Sequence, residues 1–144
     1  EGLVVDQIRS NCREIVSLVA CVEEQIVGHI LFSPAQIQHK GSTIIGMGLA
    51  PLAVLPEFQN MGLGTKLVED GLGRIKQLNY PFAIVLGHDE YYPRFGFEIA
   101  STHHLMCQWS GVPDEAFMVL ILNQKVMDGV SGVARYRDEF DLAM

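Results

Sequence analysis

The chain is short of basic residues. Its 144 residues include 10 Lys and Arg against 17 Asp and Glu, which gives a formal net charge of −7. Binding to a nucleic-acid backbone requires clustered Lys and Arg, so we expect no nucleic-acid partner. The sequence also lacks any run approaching the ~18 consecutive apolar residues of a membrane span. Its longest strongly apolar runs, Phe82 to Leu86 and Phe117 to Leu122, have the length of strands, so we expect no membrane partner.

Cysteine is scarce as well. Cys12, Cys21 and Cys107 form no C-x-x-C pair and no even-numbered framework, which favours reduced thiols in a cytoplasmic protein. The spacing of His103 and His104 with Cys107 matches no closed zinc site, so we expect no metal. The chain opens without a Met and without the basic-then-apolar pattern of a signal peptide, which also favours the cytoplasm.

Hydrophobic residues, in contrast, are abundant. They make up 49% of the chain and charged residues 19%, enough for one packed core. No internal repeat, low-complexity segment or linker divides the sequence, and its length suits a single domain of ~100–200 residues. We therefore treat residues 1–144 as one domain.

The first half of the chain predicts one helix followed by three strands. Apolar residues at helical spacing predict a helix over Leu3–Arg13. Ile15–Val22 and Gln25–Ile37 are rich in Val, Ile and Leu and predict an antiparallel hairpin. Thr43–Leu55 predicts a long strand that carries glycines, and Pro51 predicts a bulge in it because proline cannot donate to the ladder.

The second half predicts a long helix and further strands. Phe82–Leu86 predicts a strand buried on both faces, Asp89–Phe95 a short helix or turn, and Phe117–Leu122 another strand. Val133–Phe140 predicts a last edge strand that could pair with a second copy; a monomer and a homodimer both stay open. This order is typical of the α/β class with one crossover. The amphipathic helix spans about Gly62–Leu78, and its predicted apolar face comprises Leu63, Leu67, Val68, Leu72, Ile75 and Leu78.

The junction between the long strand and this helix is rich in glycine. It contains the pattern Gln59-x-x-Gly62-x-Gly64. Unpaired N–H groups at a helix start favour a phosphate ligand, and glycine lets that ligand approach the backbone. A P-loop would need glycine at position 59, and a dinucleotide fingerprint would need glycine where Leu67 stands. The alternatives are another phosphate-binding loop and a turn that merely starts a helix.

A second motif lies about thirty residues further on, where positions 87–97 read GHDEYYPRFGF. Together with the glycine pattern, Tyr92-x-x-x-Gly96-Phe97 resembles the GNAT superfamily of acyl-CoA-dependent N-acetyltransferases. The YYxRFGF version most resembles small bacterial members predicted to be N-acetyltransferases. The resemblance runs from Ile15 through Leu122. It implies acetyl-CoA as cosubstrate and an α/β (α+β) fold with a mixed, mostly antiparallel, splayed sheet and flanking helices.

The resemblance also implies a binding site. The strands Thr43–Val54 and Phe82–Leu86 would splay apart at their C-terminal ends and take the pantetheine arm between them. Backbone groups of 52–54 would bond its amides, the backbone of 60–65 would hold the pyrophosphate, and Lys66 would add charge. The residues expected to bind acetyl-CoA are Leu52, Ala53, Val54, Gln59, Asn60, Met61, Gly62, Leu63, Gly64, Thr65 and Lys66.

The chemistry implied by the resemblance is direct attack of an amine on the thioester within a ternary complex. No Cys lies in either motif, so an acyl-enzyme is not indicated. The Val54 N–H would stabilise the oxyanion. Tyr92 would protonate the departing thiolate or position the thiol by a hydrogen bond. His88 is the candidate base, with Asp89, Glu90, a water chain or an already neutral amine as alternatives.

Several features leave the function open. The family's initial strand and helix are expected to be missing here, and its usual Asn-x-x-Ala run is replaced by 87–90. Arg94 could face the CoA phosphates or form a surface ion pair. Phe97, Leu105 and Trp109 could line the acceptor end or belong to the core. The acceptor is a small-molecule or protein amine. The alternatives to an enzyme are a non-catalytic acyl-CoA sensor and a nucleotide-binding module.

Overall fold

The computed structural model describes residues 2–143 and contains three α-helices and eight strands. The strand–strand–strand–helix–strand order expected from the sequence is present, and short 3₁₀ turns lie between the later strands. No helix within 2–143 is long and apolar enough to cross a membrane. The elements are α1 Gly2–Asn11, β1 Val16–Val22, β2 Gln25–His39, β3 Ser42–Val54, α2 Leu63–Gln77, β4 Phe82–Leu86, β5 Glu98–Ile99, β6 Leu105–Cys107, β7 Phe117–Ile121, α3 Gln124–Met127 and β8 Gly132–Arg135.

The strands form one mixed sheet. Its strand order is β5-β7-β4-β3-β2-β8-β6. The remaining strand, β1, pairs with β2, the long strand that also pairs with β8. Within the described chain, β3–β4 and β6–β8 are parallel and the other pairs are antiparallel. The predicted fold class, a mixed and mostly antiparallel sheet with flanking helices, is confirmed.

The predicted bulge is present at Pro51. In the β2–β3 ladder, Ile30 pairs with Leu52 and Phe32 pairs with Leu49. Two residues of β3, Ala50 and Pro51, therefore stand opposite a single residue of β2. An extra residue in one strand bends that strand, and the bend falls just before the segment that the resemblance assigns to the cosubstrate.

The sheet is covered on both faces. On one face the buried side chains of α1 belong to the same core cluster as Leu31, Phe82 and Ile84. On the other face α2 packs against Phe32 and Met47. The buried residues of α2 are Leu67, Val68, Gly71, Leu72 and Ile75.

One residue of the predicted α2 face is misplaced. Leu78 is 55% exposed, because the helix ends at Gln77 and Leu78 is its C-cap. Gly71 takes part in the buried face instead. A Cβ at that position would lie 2.3 Å from the Phe32 ring, so the absence of a side chain lets helix and sheet approach.

The prediction of a last edge strand over Val133–Phe140 is wrong. The strand there, β8, ends at Arg135 and is paired on both sides, with β2 through Gln36 and with β6 through Cys107. The chain then turns into a 3₁₀ segment, Asp138–Ala143. Pairing on both sides removes the free edge on which a β8-mediated dimer would depend.

The central strands separate at one end of the sheet. β3 and β4 pair only over Met47↔Ala83, Gly48↔Ile84 and Leu49↔Val85. Beyond Leu49, β3 continues to Val54 with β2 as its partner, and β4 continues to Leu86 with β7 as its partner. The two strands therefore enclose a V that opens at their C-terminal ends.

Candidate active site

A cleft of about 830 Å³ lies at the open end of this V. Both sequence motifs contribute to its walls. Of the residues predicted to bind the cosubstrate, Ala53, Met61 and Lys66 do not line it. The lining consists of Leu52, Val54, Phe58, Gln59, Asn60, Gly62, Leu63, Gly64, Thr65, His88, Tyr91, Tyr92 and Arg94.

The hydrogen-bond phase of β3 determines which backbone groups face the cleft. The Leu55 N–H donates to the Val27 carbonyl at 2.8 Å. Antiparallel ladders bond alternate residues, so Ala53 directs its N–H and C=O to β2. Leu52 and Val54 direct theirs away from β2, towards the cleft. Ala53 was predicted to bind the cosubstrate together with Leu52 and Val54, but its backbone groups face β2 instead of the cleft.

The Gln59 side chain ties the loop to the end of β3. Its Nε2 donates to the Val54 carbonyl at 3.0 Å. That carbonyl is thereby satisfied within the protein. The N–H of Val54 also faces the cleft. It takes no part in the ladder to β2, so it is available to a ligand.

The loop after β3 leads sharply into α2. Asn60 has φ +63° and Gly62 has φ +84°, a left-handed conformation that favours glycine. The first intrahelical bond runs from the Lys66 N–H to the Gly62 carbonyl at 3.0 Å. The N–H groups of residues 63–65 have no intrahelical acceptor and lie at the positive end of the helix dipole. This arrangement suits an anionic group.

The two motifs meet at Tyr91. Its hydroxyl lies 3.2 Å from Thr65 Oγ1 in the first turn of α2. The guanidinium of Arg94 lies over the Tyr91 ring, 5.2 Å from its centroid, a cation–π contact that holds the positive charge at the cleft wall. Lys66 pairs instead with Asp70 on the helix surface at 3.3 Å. The basic residue in the cleft lining is therefore Arg94, not Lys66.

Tyr92 is buried at the inner wall of the cleft. Its ring packs edge-on against Tyr91 and Phe97 at centroid distances of 5.1 and 5.8 Å. Gly87 makes room for the ring, because a Cβ there would lie 2.4 Å from Tyr92 Cε2. Burial, with a smaller contribution from Tyr91, raises the pKa of Tyr92 to about 12. The phenol is thus fully protonated near neutral pH.

The candidate bases lie at the rim. His88 lines the cleft and is exposed, whereas Asp89 and Glu90 are exposed and lie outside the lining. The β4 strand itself carries no titratable side chain. Among these three candidates, the structure brings only His88 to the cleft.

Tyr136 lies near the site, and sequence patterns did not single it out. It is buried, and its hydroxyl reaches the point where β3 and β4 separate. A Cβ at Gly48 would lie 2.5 Å from the Tyr136 ring. Glycine inside a strand often marks a close approach, so Gly48 was the available signal, but it does not identify which residue approaches.

The other candidates named from the sequence make contacts within the protein. Phe97 and Leu105 are buried in the core. Trp109 stacks on Tyr136 at 5.7 Å and its Nε1 donates to Asp141. His103 pairs with an exposed carboxylate of Glu98 at 2.9 Å. No cluster of three or more His, Cys, Asp or Glu that could hold a metal occurs among the described residues.

Sequence comparison places the chain among acetyltransferases. Residues 13–99 match the acetyltransferase (GNAT) domain family. The uncharacterized N-acetyltransferase YhbS of Escherichia coli strain K12 is 35% identical over 142 residues, which cover 98% of this chain and 83% of that protein. The uncharacterized N-acetyltransferase YjhQ of the same strain is 42% identical over 88 residues, which cover 61% of this chain and 49% of that protein.

Solved structures show the same architecture. The crystal structure of YhbS from Escherichia coli in complex with CoA superimposes with a TM-score of 0.89 at 34% identity, covering 98% of this chain and 77% of that one. A GNAT family acetyltransferase from Brucella melitensis in complex with acetyl-CoA gives a TM-score of 0.78 at 33% identity, covering 98% and 78%.

Proposed function

The chain belongs to the acetyltransferase (GNAT) family, as its two motifs predict, and on that premise we propose that it transfers the acetyl group of acetyl-CoA to a primary amine by direct attack in a ternary complex. One observation carries the proposal. Both motifs, although about thirty residues apart in sequence, line a single cleft at the separation of β3 and β4. Solved relatives of the same fold are complexes with CoA and acetyl-CoA.

The cleft offers suitable groups for the cosubstrate. The free N–H groups of residues 63–65 suit the pyrophosphate, and the cation of Arg94 lies in the same lining. The backbone of Leu52 faces the cleft and suits the pantetheine amides, as an added strand would. Ala53 and Lys66 take no direct part in this assignment.

The reaction requires charge stabilisation at two atoms. The amine nitrogen attacks the thioester carbon, the carbonyl oxygen becomes an oxyanion, and the C–S bond then breaks with its electron pair leaving on sulfur. The Val54 N–H is assigned to the oxyanion, a contribution of several kcal/mol for a preorganised donor. The amine releases its proton to His88 or to water, and the departing thiolate takes up a proton from solvent and ends as the CoA thiol.

Tyr92 is assigned to the departing sulfur. A phenol with a pKa of about 12 is a weaker acid than a thiol of pKa ~8.5, so full proton transfer to a free thiolate is uphill. A hydrogen bond from the protonated phenol to the developing thiolate carries no such cost. Between the acid and the positioning donor, the burial of Tyr92 therefore supports the donor.

The cytoplasm is the proposed location, and the acceptor is a small-molecule or protein amine. The three cysteines are free, as expected where thiols are kept reduced. Because β8 offers no free edge, the proposal covers a monomer and a homodimer that pairs through a surface other than β8.

Calorimetric titration with acetyl-CoA, with ATP and NAD as controls, tests the binding assignment. Micromolar binding of acetyl-CoA alone is expected. A preference for ATP or NAD would instead support a nucleotide-binding module. Release of CoA thiol in the presence of an amine panel then separates an enzyme from a sensor, which would bind acetyl-CoA and release nothing.

Tyr92→Phe tests the assigned chemistry. We expect turnover to fall about a hundredfold, the lower range for loss of one hydrogen-bond donor to a developing charge, while acetyl-CoA affinity stays within about twofold. Tyr80→Phe is the matched control, because Tyr80 lies before β4 at the opposite end of the sheet. Turnover of Tyr92→Phe equal to that of the control would remove Tyr92 from the mechanism.

A further inference from the structure

The apex of the V holds a buried hydroxyl from the far end of the chain. Tyr136 follows β8, and its hydroxyl donates to the Leu49 carbonyl at 2.9 Å. The Ile84 carbonyl lies 3.4 Å from the same oxygen. Leu49 belongs to the last β3–β4 pair, so the hydroxyl bridges the two strands where their own ladder ends.

The backbone N–H of Leu86 faces the same oxygen. The Gly87 N–H donates to the Ala116 carbonyl at 2.9 Å, and antiparallel ladders bond alternate residues. The N–H of Leu86 therefore points away from β7, towards β3. The phenol thus occupies the place that a further β3–β4 bond would take.

The ring of Tyr136 is fixed from both sides. Trp109 stacks on it at 5.7 Å with an interplanar angle of 24°, and Phe140 packs at 5.0 Å. Against the sheet, only a glycine at position 48 leaves room for the ring. A side chain held this firmly presents its hydroxyl at one position, as a preorganised site requires.

We propose that the Tyr136 hydroxyl is a positioning group that holds β3 and β4 apart at the apex of the cleft, so that the V exists before the cosubstrate enters. The consequence for acetyl-CoA rests on the proposed function. A group that preforms a site lowers the cost of binding without touching the ligand. Without the hydroxyl, the carbonyls of Leu49 and Ile84 lose a partner, and the strands can move together or admit water.

Tyr136→Phe keeps the ring and removes the hydroxyl. We expect the dissociation constant of acetyl-CoA to rise about tenfold, or ~1.4 kcal/mol, while kcat at saturation stays within about twofold. Tyr80→Phe, the same chemical change away from the apex, is expected to bind as the unaltered protein does. Affinity of Tyr136→Phe equal to that of Tyr80→Phe would overturn the proposal.

Amide hydrogen exchange provides a readout that does not depend on acetyl-CoA. In the unliganded protein, the Leu86 N–H is expected to exchange slowly because it faces the buried Tyr136 hydroxyl at the apex. In Tyr136→Phe it is expected to exchange much faster, while the N–H of Val85, which points to β7, stays protected. Fast exchange at Leu86 in the unaltered protein would refute the preformed apex. If the unaltered protein binds no acetyl-CoA, the proposed function fails, yet Leu86 exchange still decides the role of Tyr136.

Discussion

Replacing Gly87 by Ala moves the Tyr92 phenol without altering its chemistry. The added Cβ would lie 2.4 Å from Tyr92 Cε2 and 3.1 Å from Cδ2. Carbon atoms in contact sit about 3.5 Å apart, so the ring must retreat by about 1 Å. Gly87 does not have a positive φ, so alanine fits the backbone there. The substitution therefore acts through the ring of Tyr92 rather than through main-chain strain.

The displacement has two expected effects. Overpacking of a filled site costs ~1–3 kcal/mol of folding free energy. A shift of about 1 Å in a catalytic group lowers turnover about a hundredfold. Acetyl-CoA affinity is expected to stay within about threefold, because the backbone N–H groups assigned to the pyrophosphate lie on the other motif.

The assay is steady-state release of CoA thiol with an amine found in the acceptor panel, alongside urea unfolding of each protein. Gly73→Ala is the control, since Gly73 lies in the middle of α2 and a Cβ added there would meet no neighbouring atom within 4 Å. That change should raise stability by ~0.5–1 kcal/mol and leave turnover alone. A folded Gly87→Ala protein with full turnover would show that the position of the phenol does not matter.

Two further predictions concern charge. Arg94→Gln should weaken acetyl-CoA binding about fivefold at low salt and less at high salt, because an exposed cation is screened. Lys66→Gln should change the affinity little. Isothermal titration at two salt concentrations measures both variants, and equal losses of affinity would contradict the assignment of Arg94. The pKa of Tyr92 is about 12 in the folded protein and ~10 in the unfolded chain. The protonated phenol therefore contributes fully to stability below pH 10. As pH rises towards 12, the free energy of unfolding falls by roughly 2–3 kcal/mol. Urea unfolding at pH 9 and above pH 11 should show a smaller alkaline loss in Tyr92→Phe than in the unaltered protein, and an equal loss would argue against a buried phenol.

The sequence predicts those parts of the fold that have local causes. Alternation and periodicity identify the β1–β2 hairpin, α2 and β4, and Pro51 identifies the bulge. The cleft follows from two motifs whose spacing resembles a known family. These features depend on residues close together in the chain, where side-chain type and backbone preference act directly.

Other parts depend on contacts that no local pattern encodes. The pairing of Gln36 with Arg135 places β8 inside the sheet, and nothing near Arg135 indicates that partner. The direction of a side chain is likewise not predicted by the local sequence pattern. Lys66 lies two residues after the glycine motif but pairs with Asp70. Arg94 reaches the cleft because its guanidinium lies over the Tyr91 ring.

The long sequence separation between Tyr136 and its partner at the apex has a consequence for the synthesis and folding of the protein. The hydroxyl and its Leu49 partner are 87 residues apart, and both motifs are synthesised before Tyr136 is added. Chains emerge N-terminus first, and long-range contacts form only after the intervening loop closes. A nascent chain that already contains both motifs therefore still lacks the contact at the apex, and the proposed preformed cleft arises only after residue 136 has been added.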